Sequence, residues 1–180
     1  MIFSRGRALL LVIDMQERLL RQIEDAAKAA AGAITLAKCS KILGVPALVT
    51  EQYPEGIGPT LPGLSDALER RPAIPKRTFS CCREPAFLQA LAVAGRKQVI
   101  IAGIEAHVCV LQTAFDLAEK GYAVQVAEDA VGSRKNSDKL NALKRMQAAG
   151  IGITCVESAV FELLETSACR EFKQVLPLIK

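Results

Sequence analysis

A cysteine stands where an apolar run gives way to a helix-forming segment. Cys109 lies in the segment Gly103 to Val110, directly after the apolar run Gln98 to Ala102. The first turn of a helix presents unpaired backbone N–H groups and the positive end of the helix dipole, and both favour a thiolate over a thiol. The position therefore predicts a reactive cysteine nucleophile.

Two charged residues stand at the ends of other apolar runs, where they could meet this cysteine. Asp14 follows the run Ala8 to Ile13, and Lys76 follows Ala73 to Pro75. A carboxylate at the tip of a buried strand can take the thiol proton as a general base and return it as an acid. We expect Lys76 to position Asp14, to favour the thiolate and to stabilise negative charge on an attacked carbonyl.

The single histidine of the chain argues against a Cys and His catalytic pair and against a zinc site. His107 is the only histidine and lies two positions before Cys109, on a different side of the same turn. This placement disfavours a papain-type Cys and His pair, and one histidine is too few for a conventional zinc set. We expect His107 to cap a helix or to lie at an interface, and we predict no metal and no cofactor.

Each candidate also has a structural interpretation. Cys109 alone could be a packed core residue, Lys76 alone a surface lysine, and Asp14 alone the N-cap of a helix that begins at Met15. The joint pattern favours the catalytic interpretation. Distance along the chain from these positions makes three further residues weak candidates for binding a substrate, namely Gln16, Tyr53 and Phe79.

Apolar runs that alternate with helical segments predict the elements that position these residues. Strands are expected over Ala8 to Ile13, Val45 to Thr50, Gln98 to Ala102, Ala123 to Ala127 and Ile151 to Val156. Helices are expected over Asp25 to Leu43, from Glu84 to Gly95, through Cys109 to Lys120, from Asn136 to Gly150, and over Ser65 to Arg70, Glu157 to Leu164 and Ser167 to Val175. The fold predicted is three-layer α/β/α, with a mostly parallel, doubly wound central sheet.

In such open sheets ligands bind beyond the carboxyl ends of the strands, where the strand order reverses. No glycine-rich phosphate loop follows any predicted strand, which argues against a nucleotide or flavin as the ligand. The irregular stretch Tyr53 to Pro75, rich in proline and glycine, is expected to be a surface excursion that covers the site.

The composition describes one globular domain over residues 1 to 180, with 51% hydrophobic and 23% charged residues. A net charge of +4, 4% aromatic residues and no tryptophan argue against nucleic acid as a partner. The six cysteines show no disulfide pattern, and no apolar run is long enough to span a membrane. These features predict a cytoplasmic protein with a small-molecule substrate.

The motifs resemble the isochorismatase-like cysteine hydrolase superfamily, whose pattern is an Asp after the first strand, a Lys before a central helix and a Gly-x-x-x-x-x-Cys-Val turn. The matching segments are Leu11 to Gln16, Pro75 to Ser80 and Gly103 to Val110. The further combination of Thr50 to Pro54 with Gly103 to Thr113 is most similar to the uncharacterised isochorismatase-domain-containing branch.

The resemblance implies a catalytic triad of Asp14, Lys76 and Cys109 and a cis peptide between Ile104 and Glu105. It also implies an oxyanion hole built from the backbone amides of Glu105 or Ala106 and of Cys109. The implied reaction is attack of the thiol on an amide-like carbonyl, release of ammonia or an amine, and hydrolysis of the thioester.

Two departures narrow the implied activity. Nicotinamidase-like members carry an Asp-x-His metal motif after the second strand, where this chain has Thr50 to Tyr53. Isochorismatases cleave a vinyl ether and do not need a cysteine nucleophile, so Cys109 argues against that activity. A catalytically silent oligomeric binding or scaffold protein of the same fold is the alternative. Homo-oligomers are common in the family, and the apolar segments Val160 to Leu164 and Phe172 to Ile179 could form an interface.

Overall fold

A computed structural model describes residues 1–179 of the chain and contains one six-stranded sheet. All strands are parallel, and their order is β3-β2-β1-β4-β5-β6. The strands are β1 Ala8–Ile13, β2 Ala47–Gln52, β3 Ile74–Lys76, β4 Gln98–Ile104, β5 Ala123–Gly132 and β6 Gly152–Thr154.

Helices cover both faces of the sheet and form two separate apolar clusters with it. They are α1 Glu17–Leu20, α2 Ala26–Leu43, α3 Pro54–Ile57, α4 Pro62–Ala67, α5 Pro85–Ala94, α6 Leu111–Glu119, α7 Asn136–Ala148, α8 Val156–Leu164 and α9 Phe172–Ile179. A 3₁₀ turn covers Cys81–Arg83, and a turn of π-helix, Ala106–Val110, precedes α6. The predicted three-layer α/β/α fold is therefore confirmed.

The central strand β1 shows why a continuous apolar run marks a strand of this fold. All six of its residues are buried. Leu10 and Val12 belong to the cluster that contains α2, whereas Leu9 and Leu11 belong to the cluster that contains α5, α6 and α7. A strand covered on both faces cannot alternate apolar with polar residues, because neither face meets water.

The strand order reverses between β1 and β4, and the two strands lie very close together there. Ile13 at the end of β1 is paired with Gly103 in β4. Gly103 has a φ of 143°, and a Cβ atom added to it would collide with the backbone of Ile13. A glycine is therefore required where Asp14 leaves the sheet beside the segment that carries Cys109.

Some element boundaries differ from those predicted. The short edge strand β3 was not expected as a strand, and the predicted helix from Ser65 to Arg70 is α4, Pro62–Ala67. Proline at the start of α4 supplies the fixed φ of a first helical position. The last predicted helix, Ser167 to Val175, is α9, Phe172–Ile179. No helix within residues 1–179 is long and apolar enough to cross a membrane.

The C-terminal helices α8 and α9 pack apolar side chains against the core of the protein. Val160, Leu163 and Leu164 in α8 and Val175 in α9 are buried in the same cluster as α2. Phe161 remains 42% exposed. The protein's own core covers part of these segments, and their role in an interface stays a prediction.

Candidate active site

Asp14 is fully buried at the end of β1 and is not the cap of a helix. Its backbone has a φ of 52°, in the left-handed region, and its N–H donates to the Thr50 carbonyl at 3.1 Å. The following helix, α1, begins only at Glu17, with Gln16 before it. The N-cap interpretation of Asp14 is therefore wrong, and the carboxylate is free to serve the interior of the site.

Lys76 ends β3 with its side chain fully buried, so the interpretation as a surface lysine is also wrong. Its Nζ lies 2.7 Å from Asp14 Oδ2 and donates to Gln52 Oε1 at 2.6 Å. Burial alone would lower the pKa of Lys76, but the charge of Asp14, and that of Cys109 when its thiol is ionised, raise it above its ordinary value. Lys76 therefore favours its charged, ammonium form in this site.

Cys109 lies in the π-helical turn, 7% exposed, and accepts a hydrogen bond from Lys76 Nζ at 3.5 Å. Burial and the charge of Asp14 raise the pKa of its thiol to about 12, although Lys76 opposes the shift. Burial and Asp14 therefore oppose the favourable effect that the start of the helix and Lys76 have on the thiolate. The start of a helix cannot offset the lost hydration and the adjacent carboxylate, so the thiol keeps its proton until a base removes it.

The two oxygens of Asp14 have different partners. Oδ1 accepts a hydrogen bond from the Thr50 hydroxyl at 2.8 Å, and Oδ2 faces Lys76. Among residues 1–179, Oδ2 has no hydrogen-bond partner beyond that ion pair. Burial raises the pKa of Asp14, against the effects of Lys76, Thr50 and Cys109. A buried carboxylate whose pKa is raised in this way is a better proton acceptor than one in water.

The geometry brings the three charged or nucleophilic candidates together around Lys76 Nζ. Such an arrangement can move a proton between Cys109 and Asp14 while the ammonium ion balances the negative charge on either. It places a thiol, a carboxylate and an ammonium group in one buried cluster, a combination that can support covalent attack on a carbonyl compound.

The residues expected at the oxyanion hole surround the same turn. Ala106 is fully buried beside Cys109, and the peptide bond between Ile104 and Glu105 is cis. The Glu105 carboxylate does not enter the site, since its Oε2 accepts from both the backbone N and Nε of Arg134 at 3.0 Å. The role of these backbone amides stays a prediction.

Gln16 and Gln52 tie the loop after β1 to the end of β2. The Gln16 amide nitrogen donates to the carbonyls of Gln52 and Gly58, and its oxygen accepts from Gln52 N at 2.8 Å. Gln16 is fully buried, so its polar atoms serve this connection. Its predicted role in substrate binding stays untested.

The two aromatic candidates lie closer to solvent. Arg77 places its guanidinium 3.8 Å from the centre of the Tyr53 ring. Phe79 exposes 55% of its surface, and its carbonyl accepts from Lys76 Nζ at 3.1 Å. Both residues are therefore partly exposed to solvent, and their contact with a substrate stays a prediction.

Sequence reasoning missed two residues of this site, Thr50 and Gln52. Thr50 donates to Asp14, and Gln52 accepts from Lys76. A signal for Thr50 was present, because it is a polar residue at the end of a predicted buried strand, as Asp14 is. Gln52 gave no such signal, since its contact arises only when β2 pairs with β3.

The remaining polar candidates are occupied elsewhere. His107 Nδ1 lies 3.0 Å from the Ser133 hydroxyl, so this ring nitrogen already has a hydrogen-bond partner other than Cys109. Cys81 and Cys82 are buried, and burial raises their thiol pKa values to about 11 and about 12. Within the described chain, no group of three His, Cys, Asp or Glu side chains is arranged to hold a metal ion.

Comparison with known proteins identifies the fold and the motifs with one family. An isochorismatase domain model matches residues 8–158. "Isochorismatase domain-containing protein 2" of Danio rerio is 34% identical over 176 residues, which cover 98% of this chain and 88% of that protein. "Secreted isochorismatase effector Isc1" of Phytophthora sojae is 41% identical over 154 residues, covering 83% of this chain and 73% of that protein.

Solved structures share the whole fold. The "MAR1 Ribonuclease from Caenorhabditis elegans" superposes with a TM-score of 0.94 at 38% identity, covering 99% of this chain and 92% of that one. YcaC of Escherichia coli, described as an octameric hydrolase, gives 0.91 at 26% identity, with coverage of 99% and 88%. YcaC of Pseudomonas aeruginosa, solved with covalent acrylamide, gives 0.91 at 26%, with coverage of 98% and 91%. On these matches, the chain belongs to the isochorismatase family and carries the α/β fold of its hydrolases.

Proposed function

We propose that the protein is a metal-independent cysteine hydrolase that cleaves the C–N bond of a small amide-like substrate through a thioester at Cys109. The observation that carries the proposal is the position of Lys76 Nζ, 2.7 Å from Asp14 Oδ2 and 3.5 Å from Cys109 Sγ in a buried site. Nothing in this arrangement calls for a cofactor.

The first half of the reaction forms the thioester. Cys109 Sγ attacks the carbonyl carbon, and its proton passes to Asp14, because the resting thiol is not ionised. The tetrahedral intermediate places its charge on the former carbonyl oxygen. Asp14 then gives the proton to the leaving nitrogen, the C–N bond breaks, and ammonia or an amine departs.

The second half regenerates the enzyme. Asp14 takes a proton from a water molecule, which attacks the thioester carbon, and the C–S bond breaks as the proton returns to Cys109. Lys76 keeps its charge throughout and offsets whichever neighbour is negative. The backbone amides of Glu105 or Ala106 and of Cys109 form the proposed oxyanion hole.

Two of the solved relatives support parts of this proposal. The Pseudomonas aeruginosa relative holds a covalently bound acrylamide, which is a small amide-containing electrophile. The Escherichia coli relative is an octamer. Acrylamide reacts with a nucleophile at its vinyl carbon, so by analogy we propose that this chain also holds a reactive nucleophile, and that it assembles as a homo-oligomer.

The proposal also covers the domain organisation of the chain and its cellular compartment. The whole chain acts as one domain in the cytoplasm. Its six cysteines are free thiols, which suits a reducing compartment.

The Caenorhabditis elegans relative is described as a ribonuclease, which makes RNA hydrolysis a second candidate activity. The proposed thioester chemistry does not extend to it, because a phosphodiester offers a phosphorus atom and no carbonyl carbon to the Cys109 thiol. A single-stranded RNA therefore belongs in the substrate screen beside the amides.

The test is release of ammonia or amine from a panel of small amides and carbamoyl compounds, and of nucleotides from RNA. For an amide that the wild type hydrolyses, Asp14→Asn is expected to lower kcat at least about 100-fold, since it removes the general base. Cys109→Ala is expected to abolish turnover. Asp66→Asn, at an exposed carboxylate, is the matched control and should retain the wild-type rate.

Two results would contradict the proposal. Turnover retained in both Asp14→Asn and Cys109→Ala would exclude the thioester mechanism. Failure of the wild type to hydrolyse any compound, with Cys109 no more reactive than the other thiols, would favour the catalytically silent binding or scaffold protein.

A further inference from the structure

Thr50 contacts Asp14 through both its main chain and its side chain. The Thr50 carbonyl accepts from Asp14 N at 3.1 Å, and the Thr50 hydroxyl donates to Asp14 Oδ1 at 2.8 Å. Thr50 itself is fully buried in β2, the strand beside β1. Water cannot replace its hydroxyl at the carboxylate without first entering the core.

A third residue lies behind this hydroxyl. Cys81 Sγ donates to Thr50 Oγ1 at 3.8 Å, and burial raises the pKa of the Cys81 thiol to about 11, so it keeps its proton. Cys81 is fixed in turn by its backbone N–H, which donates to Thr113 Oγ1 at 3.0 Å. A hydroxyl has one proton to donate. With Cys81 on the acceptor side, that proton is directed to Asp14.

We propose that Thr50 is a positioning residue for Asp14. Its hydrogen bond occupies Oδ1, so that Oδ2 alone exchanges the proton with Cys109, and Cys81 sets the direction of that bond. The inference rests on the proposed function, since it takes Asp14 as the base.

The hydrogen bond has a consequence that a purely structural contact would lack. A donor to a carboxylate stabilises its charged form, and Thr50 accordingly lowers the pKa of Asp14 against the effect of burial. Without the hydroxyl, Asp14 should stay protonated to a higher pH. A protonated Asp14 cannot accept the Cys109 proton, so the reactivity of Cys109 should begin to rise only at that higher pH.

The experiment is the pH dependence of Cys109 alkylation by iodoacetamide, followed by intact mass and peptide mapping. In the wild type the rate of alkylation should first rise with pH as the pair of Asp14 and Cys109 loses one proton. We call this first rise the acid limb of the profile. In Thr50→Val this acid limb should move to higher pH by about one unit. Thr50→Ser, which restores the hydroxyl, should return the limb to its wild-type position. Cys81→Ala should move it in the same direction as Thr50→Val, by less.

Two controls make the test specific. Thr60→Val removes a hydroxyl that donates to the carboxylate of Glu51 at 2.7 Å, away from Asp14, and should leave the limb in place. Asp14→Asn should abolish the limb and leave a single thiol ionisation. If Thr50→Val folds poorly in thermal unfolding, Thr50→Ala removes the same hydroxyl without placing a methyl group against the Asp14 carboxylate.

The outcomes separate the two proposals. If the acid limb does not move in Thr50→Val or Thr50→Ala but is lost in Asp14→Asn, the role of Thr50 is overturned and the hydrolase mechanism stands. An unchanged profile in Asp14→Asn would overturn the mechanism itself. A moved limb in Thr50→Val but not in Cys81→Ala would overturn the part assigned to Cys81.

Discussion

Cys109 and Cys39 are buried to a similar extent and are chemically different. Their exposed fractions are 7% and 0%, and their pKa values are raised to about 12 and about 11. Loss of hydration alone acts on Cys39, which lies in the apolar cluster around α2. Cys109 instead has Lys76 at 3.5 Å and Asp14 beside it. Burial and a raised pKa therefore do not distinguish the two thiols, whereas the cation and the carboxylate beside Cys109 do.

Lys76→Met tests the comparison most severely, because it would give Cys109 surroundings closer to those of Cys39. The change leaves Asp14 buried without its cation, and the free energy of unfolding should fall by about 3 kcal/mol in urea denaturation. Alkylation of Cys109 should slow towards that of Cys39. The matched control is Lys41→Met, which breaks a surface pair with Glu69 and should cost less than about 1 kcal/mol. Equal stability of the two variants would show that the buried pair has no structural role.

Cys39→Ala is expected to have a smaller effect, confined to stability. It removes one buried sulfur from a packed helix face and should lower the free energy of unfolding by about 1 kcal/mol. The rate and pH profile of Cys109 alkylation should not change. A slower Cys109 in this variant would mean that the two regions are coupled, and that the contrast between them is too simple.

The sequence predicted that Asp14, Lys76 and Cys109 lie close together, because each stands at or shortly after the end of an apolar run. The run Ala8 to Ile13 is β1 without any change of boundary, and Asp14 follows it where parallel strands place their ligands. Cys109 was found in the same way, one turn after β4. Lys76 was found at the end of an apolar segment, although the strand that holds it was not recognised.

The rest of the site depends on pairing that the sequence does not display. The strand β3 is three residues long and contains Pro75, so it has neither the length nor the composition that marks a strand. Only its pairing with β2 brings Gln52 to Lys76. The sequence also does not display the burial of Cys109, which together with the carboxylate beside it raises the pKa of its thiol.

The most direct measurement is the rate of alkylation of Cys109 relative to Cys39 in the native protein near neutral pH, mapped by peptide mass, in the wild type and in Lys76→Met. We expect Cys109 to react faster although its thiol pKa is the higher of the two, and we expect Lys76→Met to remove most of the difference. Cys109 is also slightly more exposed than Cys39. If Cys109 still reacts faster in Lys76→Met, the difference in rate comes from exposure to the reagent alone. That result, or equal rates in the wild type, would contradict an activated cysteine at this site.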